Sequence, residues 1–430
     1  MKTLTRIKSG SNLEGGVTTM SPSKKEKSQS VSRRAFLKSS LAAAAGAALS
    51  SCAGRKEEKV KRGPEKQEKE YQIVKRTLGR TGIAIPIISM GAAAEDKAVY
   101  TAALDAGITY IDTDFFYRGG RHEKLVGEVI KGRPRESLVV ATRINVPFDQ
   151  RTGLYRSGTR GDDLLGPFET SMKRLDVEYL DILSLNSVSA AAAATHAPIL
   201  ETLQKLKNSG RTRFLGLSVH GYEPEVIRAA VDCKVYDVIM VSYNFKQDHA
   251  AEIKEAIAYA ASAGLGIIAM KTQAGAFLDR ERAKPINHKA AIRWVLSDTN
   301  VHTAIPGFRN FEEMEMFLSV MGDLKLTPEE QADLDAARLH AGLYCQQCGR
   351  CVPQCPHGVF VPAYMRAFMY AYGYGMAGIA KETISKASRE DPHCGRCASC
   401  SVSCVKGFDV KDRILDVARL KKVPEEFLCA

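Results

Sequence analysis

The sequence predicts an α/β chain: a (β/α)8 barrel over residues 71–340, then a small, mainly α-helical, cysteine-rich domain over residues 341–430. Two observations carry this. Short apolar runs alternate with helical patterns eight times before residue 340, and nine of the chain's 11 cysteines fall after it, eight of them in two runs of matching spacing. Ahead of both stand 70 residues of different character.

Residues 32–38 read S-R-R-A-F-L-K, and the alanine-rich stretch to Ala48 carries no charge beyond Lys38. This resembles a twin-arginine export signal, with an apolar core shorter than the roughly 20 residues a spanning helix needs. Leu49-Ser50-Ser51-Cys52 resembles a lipoprotein cleavage site, implying lipid attachment at Cys52; a plain signal peptide ending near a cysteine is the alternative. Residues 1–51 are thus expected to be a signal peptide, with Met1 or Met20 as start, and the mature chain to be periplasmic and membrane-anchored through its lipid. Residues 52–70 alternate charges without an apolar face and read as a disordered tether. The formal charge of +12 belongs mostly to this region: residues 1–70 hold 16 Lys and Arg against 7 Glu, leaving only +3 elsewhere. That distribution argues against a nucleic-acid partner.

The eight strand candidates are Ile83–Gly91, Thr109–Asp114, Ser137–Ile144, Asp181–Val188, Arg213–His220, Asp237–Asn244, Gly266–Thr272 and Val301–Gly307. Each is rich in Val, Ile and Leu on both faces, as buried parallel strands are. Helical patterns such as Ala98–Asp105, Ala250–Ala263 and Lys289–Leu296 lie between them. Eight such units in about 250 residues have the size and order of a barrel, whose chemistry sits at the C-terminal ends of the strands. Asp112, Arg143, Asn186, His220, Asn244 and Lys271 fall there. Singly, each would be read as a loop or capping residue; six together predict a pocket. Gly119, Gly120 and Gly275 fall in loops above it, where glycine relieves backbone strain, and His122, His196 and His302 are read as surface or satisfied core residues.

After the barrel, Cys345, Cys348, Cys351 and Cys355 read C-x2-C-x2-C-x3-C with Pro356 following, and Cys394, Cys397, Cys400 and Cys404 repeat the spacing. Zinc sites usually take paired C-x2-C units farther apart, and a chain of this length needs no disulfide staples. The spacing is similar to that of bacterial ferredoxins with two [4Fe–4S] clusters. The resemblance implies a crossed partition, in which Cys345, Cys348 and Cys351 share one cluster with Cys404, and Cys394, Cys397 and Cys400 share the other with Cys355. Lys406 departs from it, lying close to where a proline would follow the second run. Residues 362–388 read as one helix, with Met365, Phe368, Met369 and Tyr372 on a face that covers the clusters. Cys233 and Cys429 receive no role.

Leu78-Gly79-Arg80-Thr81-Gly82, Ile111-Asp112-Thr113 with Tyr117, Glu123 to Gly127, Tyr179-Leu180-Asp181, Gly216-Leu217-Ser218 and Ile305-Pro306-Gly307 resemble the aldo-keto reductases, specifically a subgroup with a C-terminal dicluster domain. That family moves a hydride between a nicotinamide cofactor and a carbonyl carbon while a tyrosine handles the oxygen's proton. The resemblance implies Tyr117 as the acid and Asp112 as the partner of a catalytic cation. Arg143 stands in the family's lysine position and Asn186 in its histidine position. Arginine keeps the charge without a labile proton, and asparagine donates a hydrogen bond without charge. Ser218, Lys271, Gly307 and Arg309 are the implied NADP contacts, with arginine suited to a 2′-phosphate. Val219, Met240, Met316 and Phe317 replace other contacts, so nicotinamide binding stays open.

Three readings follow: an exported oxidoreductase acting on a small carbonyl or alcohol, with electron transfer through the clusters to a protein or membrane redox partner; an electron-transfer or docking module that has lost nicotinamide-dependent chemistry; or a small-ligand binding protein with structural clusters.

Overall fold

The computed structural model describes residues 71–93, 95–388 and 391–428. The expected signal peptide, tether and lipid-attachment residue Cys52 lie outside the described residues, as does Cys429. No helix among the described residues is long and apolar enough to cross a membrane.

A short antiparallel hairpin, β1 (Lys75–Thr77) and β2 (Ala84–Pro86), opens the described chain. Seven parallel strands follow in sequential order: β3 (Tyr110–Asp112), β4 (Val139–Ile144), β5 (Leu180–Val188), β6 (Thr212–Val219), β7 (Val238–Ser242), β8 (Gly266–Met270) and β9 (Thr303–Ala304). Isolated parallel bridges from Ile88 to Ala304 and from Met90 to Ile111 join the two edges and curl the sheet into a barrel. The expected strand Ile83–Gly91 is therefore divided. Its first part pairs antiparallel with β1, the last bond running from the Ile87 N–H to the Val74 carbonyl at 2.9 Å, and the remainder makes the two parallel closing bridges.

Helices α1 (Lys97–Asp105), α2 (Arg121–Ile130), α3 (Asp162–Leu175), α4 (Ala191–Ala194), α5 (Ala197–Asn208), α6 (Glu223–Asp232), α7 (Ala250–Ser262), α8 (His288–Leu296), α9 (Phe311–Leu318) and α10 (Pro328–Leu339) alternate with or follow the strands. Asp96, Asn287 and Asn310 cap α1, α8 and α9, and Thr327 with Glu330 forms a capping box on α10. The main core lies between sheet and helices. A second core fills the barrel, where Leu78 and Ile85 pack with Tyr110, Val139, Ile182 and Val238, near the N-terminal ends of their strands. The open end is therefore the C-terminal one.

Past the barrel the chain forms α11 (Val361–Phe368), a π-helical turn (Met369–Gly373), α12 (Ala377–Ala387) and α13 (Val410–Ala418). The single helix expected over 362–388 is thus broken. Gly373 approaches the barrel so closely that an added Cβ would stand 2.3 Å from the Gly275 carbonyl oxygen, and Gly375 turns to φ +68°. Docking onto the barrel, not helix propensity, decides this segment. Met365 and Phe368 pack in the helical domain's own core with Tyr372 against it, but Met369 turns to Phe245, Ala274 and Ile286 of the barrel loops.

Candidate active site and cysteine cradles

The strand ends and the tail enclose two adjoining cavities. The first is lined by Phe116, Phe148, Asn186, His220, Arg366 and Lys386, among others. The second is lined by Asp112, Met240, Lys271, Gly307, Arg309 and their neighbours. Tyr117, Arg143, Tyr370 and Ile379 line both and form the wall between them.

Arg143, buried at the end of β4, organises the wall. Its Nη2 lies 2.8 Å from Asp112 Oδ2 and donates to Tyr117 Oη at 3.0 Å, its Nη1 donates to Asn186 Oδ1 at 3.3 Å, and its Nε donates to the Thr113 carbonyl. The structure therefore brings together all four positions that the sequence placed in the catalytic set. Asn186 reaches this point from a register shift of β5 between Leu185 and Val188, a device that re-aims side chains at functional rims. Its amide also donates to Asp114.

Burial pushes the Asp112 carboxyl up to about 6 despite Arg143. Burial also raises Tyr117, against the pull of Arg143 and with the help of Tyr370. Arg143 itself is held protonated: Asp112, Tyr117 and Asp114 more than offset its burial. His220 is kept neutral by burial and by the cations Lys271, Arg366 and Arg143. His122, buried between Tyr100 Oη at 2.6 Å and Thr113 Oγ1 at 2.7 Å, is likewise neutral, pushed down to about 3 mainly by burial. His302 accepts the Ile267 N–H.

Asn244 does not join the site. It is fully buried and spends its side chain on the Lys271 carbonyl and the Lys246 N–H. Of the four implied cofactor positions, Lys271, Gly307 and Arg309 line the second cavity. Ser218 does not: it is fully buried with its hydroxyl 3.3 Å from His220 Nδ1. Arg309 is engaged by Glu313 through several hydrogen bonds, which sets a carboxylate where a 2′-phosphate would go. Tyr370 and Tyr374 intrude from the tail; the Tyr374 hydroxyl accepts the Gly275 N–H at 3.0 Å. These residues do not fit a nicotinamide dinucleotide in the way the resemblance implies.

Sequence reasoning missed Arg366, Tyr370 and Tyr374. Arg366 and Tyr370 are spaced i, i+4, so one face of the tail segment carries them to the barrel. That spacing was the available signal.

The eight tail cysteines divide into two cradles. Cys345, Cys348, Cys351 and Cys404 line one cavity, and Cys355, Cys394, Cys397 and Cys400 line another. This is the crossed grouping. No three His, Cys, Asp or Glu side chains among the described residues converge as a single metal ion needs, and each quartet lines a cavity. Burial, then repulsion from neighbouring cysteines, raises the Cys345 and Cys394 thiols to about 11 and Cys351 to about 12. Four thiolates so placed fit a cationic iron centre, which would let them ionise. Gln347 Nε2 donates to Cys345 Sγ at 3.2 Å, and the Lys406 N–H to Cys404 Sγ at 3.4 Å. Gln347, Gly349 and Pro362 line both the first cradle and the first barrel cavity. Arg366 donates to Gln347 Oε1 at 2.8 Å and to the His220 carbonyl at 3.4 Å, tying that partition to β6.

Residues 90–290 match the Aldo/keto reductase family and residues 344–409 match the 4Fe-4S dicluster domain. The chain is 28% identical to L-galactose dehydrogenase of Arabidopsis thaliana over 51% of its own length and 71% of that protein's. It is 28% identical to L-glyceraldehyde 3-phosphate reductase of Escherichia coli, across 38% of its own length and only half of the reductase. The holo form of an aldo-keto reductase from Bacillus halodurans superposes with a TM-score of 0.51 at 20% identity, covering 62% of this chain and 96% of that one, which shows the fold.

Proposed function

We infer from this union of an aldo/keto reductase domain with a 4Fe-4S dicluster domain that the chain is an exported iron–sulfur oxidoreductase, taking a small carbonyl or alcohol in the first barrel cavity and exchanging electrons through two [4Fe–4S] clusters. One observation carries the reading: Gln347, Gly349 and Pro362 are at once a wall of that cavity and a wall of the first cysteine cradle. A redox centre there has its substrate for a neighbour.

Cys345, Cys348, Cys351 and Cys404 would hold one cluster and Cys355, Cys394, Cys397 and Cys400 the other. Each cluster supplies one-electron exchange, so two match the two-electron difference between an alcohol and a carbonyl. The barrel's part is to bind and orient. Arg143 donates to Tyr117 Oη, which leaves the phenol's own proton directed elsewhere, and Asp112 fixes the guanidinium. Arg143, Arg366 and Lys386 give the cavity a cationic lining that suits a polar, oxygen-rich substrate. Two of the relatives, a sugar dehydrogenase and a sugar-phosphate reductase, agree with that class. Export by the twin-arginine route and a lipid anchor at Cys52 would set the protein beside membrane or soluble electron partners, reached through the second cradle.

The Arg309–Glu313 pairing and the buried, raised Tyr117 phenol favour a second reading, an electron-transfer or docking module without nicotinamide-dependent chemistry. An anaerobic titration of the iron-loaded protein separates the two. Bleaching of the clusters' visible absorption by a short-chain alcohol or aldose, lost in Arg143→Met, supports the oxidoreductase. Bleaching by dithionite alone, with neither NADPH nor any such substrate effective, supports the module.

A further inference from the structure

We propose that Tyr370, a phenol supplied by the dicluster domain and gripped by Lys271, is the acid–base group that exchanges a proton with the substrate oxygen in the barrel cavity. The inference rests on reading that cavity as the substrate site.

Four geometric facts point to it. Tyr370 lines both barrel cavities beside Tyr117 and Arg143, so it faces whatever lies against their shared wall. Its hydroxyl accepts a hydrogen bond from Lys271 Nζ at 3.0 Å, with the ammonium 5.2 Å from the ring centroid. Lys271 reaches it from the end of β8 with φ +53°, a left-handed conformation uncommon for a non-glycine residue. Tyr370 itself sits in the π-helical turn Met369–Gly373 at the end of α11, and π-turns are frequent at functional sites. Two unusual backbone segments, 99 residues apart, thus meet in one side-chain contact.

The electrostatics agree. Burial opposes ionisation of Tyr370, but Lys271, Arg366 and Arg143 together overcome it and draw the phenol below its ordinary value. The other groups around the two cavities are Tyr117, Tyr222, Tyr374, His220, His288, Asp112, Glu313, Glu382, Arg151, Arg309 and Lys386. Among the phenols of this wall, Tyr370 is drawn down while Tyr117 is pushed up. A lysine–tyrosine pair is thus built from two domains at a site where the barrel alone pairs its tyrosine with arginine.

The step is a proton transfer. In the oxidising direction the substrate O–H bond breaks and a phenol O–H bond forms on Tyr370, the negative charge moving from phenolate to alkoxide. In the reducing direction Tyr370 returns that proton.

The test is an anaerobic ultraviolet titration of the iron-loaded protein, which follows tyrosinate formation and requires no turnover. The expected result is one phenol ionising below the ordinary value of about 10, absent from Tyr370→Phe, moved up by at least about one unit in Lys271→Met and restored in Lys271→Arg. Tyr117→Phe leaves it in place. Acetate, a small oxyanion, is the probe of contact with the cavity: at saturation it raises that midpoint, as a second negative charge beside a phenolate must. A titration unchanged in Tyr370→Phe overturns the proposal, as does one that acetate leaves unmoved. Iron content equal to wild type shows that each variant folds. If the phenol titrates as expected but no alcohol or aldose bleaches the clusters, the proposed function fails and the Tyr370 assignment stands.

Discussion

The two cysteine cradles share a ligand pattern and differ in almost everything around it. The first borders the barrel cavity and receives N–H donors from Gln347 and Lys406 on two of its sulfurs. The second borders no barrel cavity, includes the exposed Cys400, and has the stacked rings of His357 and His393 on its wall. The difference suggests a direction: a centre in the first cradle would face the cavity proposed for the substrate, and one in the second would face outward. Hydrogen bonds to sulfur and burial are the levers that set a cluster's potential, so the two centres should also differ in how readily they are reduced.

The largest effect should come from breaking one cradle at a time. Cys345→Ala is expected to abolish bleaching driven by substrate, whereas Cys400→Ala should lose iron from the outer cradle and keep substrate-driven bleaching of the inner one; iron analysis with visible spectroscopy distinguishes them. Next comes the barrel wall. Asp112→Ala leaves buried Arg143 without its carboxylate and should cost about 3–5 kcal/mol in urea unfolding, while dithionite still reduces both centres. The same residue carries a pH signature. With its carboxyl raised to about 6, the folded state binds the proton more tightly than the unfolded chain does. The Asp112 contribution therefore falls as pH rises from about 4 to 6, by at most about 1.4 kcal/mol per unit, and Asp112→Asn should flatten that slope.

Gln347→Leu removes the donor to Cys345 and the acceptor of Arg366. It should cost about 1.5–3 kcal/mol and lower the potential of the inner cluster alone, since an N–H donor favours the more negative reduced form; redox potentiometry checks this. The smallest effect is expected from Lys406→Ala. The ion pair between Lys406 and half-exposed Asp248 is worth under about 1 kcal/mol, and its loss should leave the outer cluster untouched in the same potentiometry.

The barrel strands from Thr109 onward were legible because parallel strands buried on both faces leave continuous apolar runs. The first was not, because one run that looks unbroken in composition serves two pairings, antiparallel with β1 and then parallel with the barrel's edges. The crossed cysteine grouping was implied by the resemblance to two-cluster ferredoxins, and Asp112, Tyr117, Arg143 and Asn186 came together through short motifs at strand ends. Asn244 shared their position and lacked their role: a side chain spent on the Lys271 carbonyl looks, in sequence, like one aimed at a ligand. Tyr370 and Arg366 were hidden for the opposite reason. The segment that holds them was read only for its apolar stripe of Met365, Phe368, Met369 and Tyr372, and no local pattern reports that Gly373 sits against Gly275 and carries the neighbouring phenol into the barrel.

Each cradle takes three cysteines from one run and one from the other, so filling either closes the chain between the runs into a ring. Ring closure costs entropy that grows only with the logarithm of the enclosed length, and once Cys351 and Cys404 are tied, Cys355 and Cys400 are already neighbours. The second ring then forms at little further cost. Filling of one cradle should therefore favour filling of the other, and loss of iron from both should slacken the segment that carries Tyr370 and Arg366. A chain stripped of its metal would lose the barrel's wall along with its redox centres, so assembly of the clusters doubles as inspection of the substrate site.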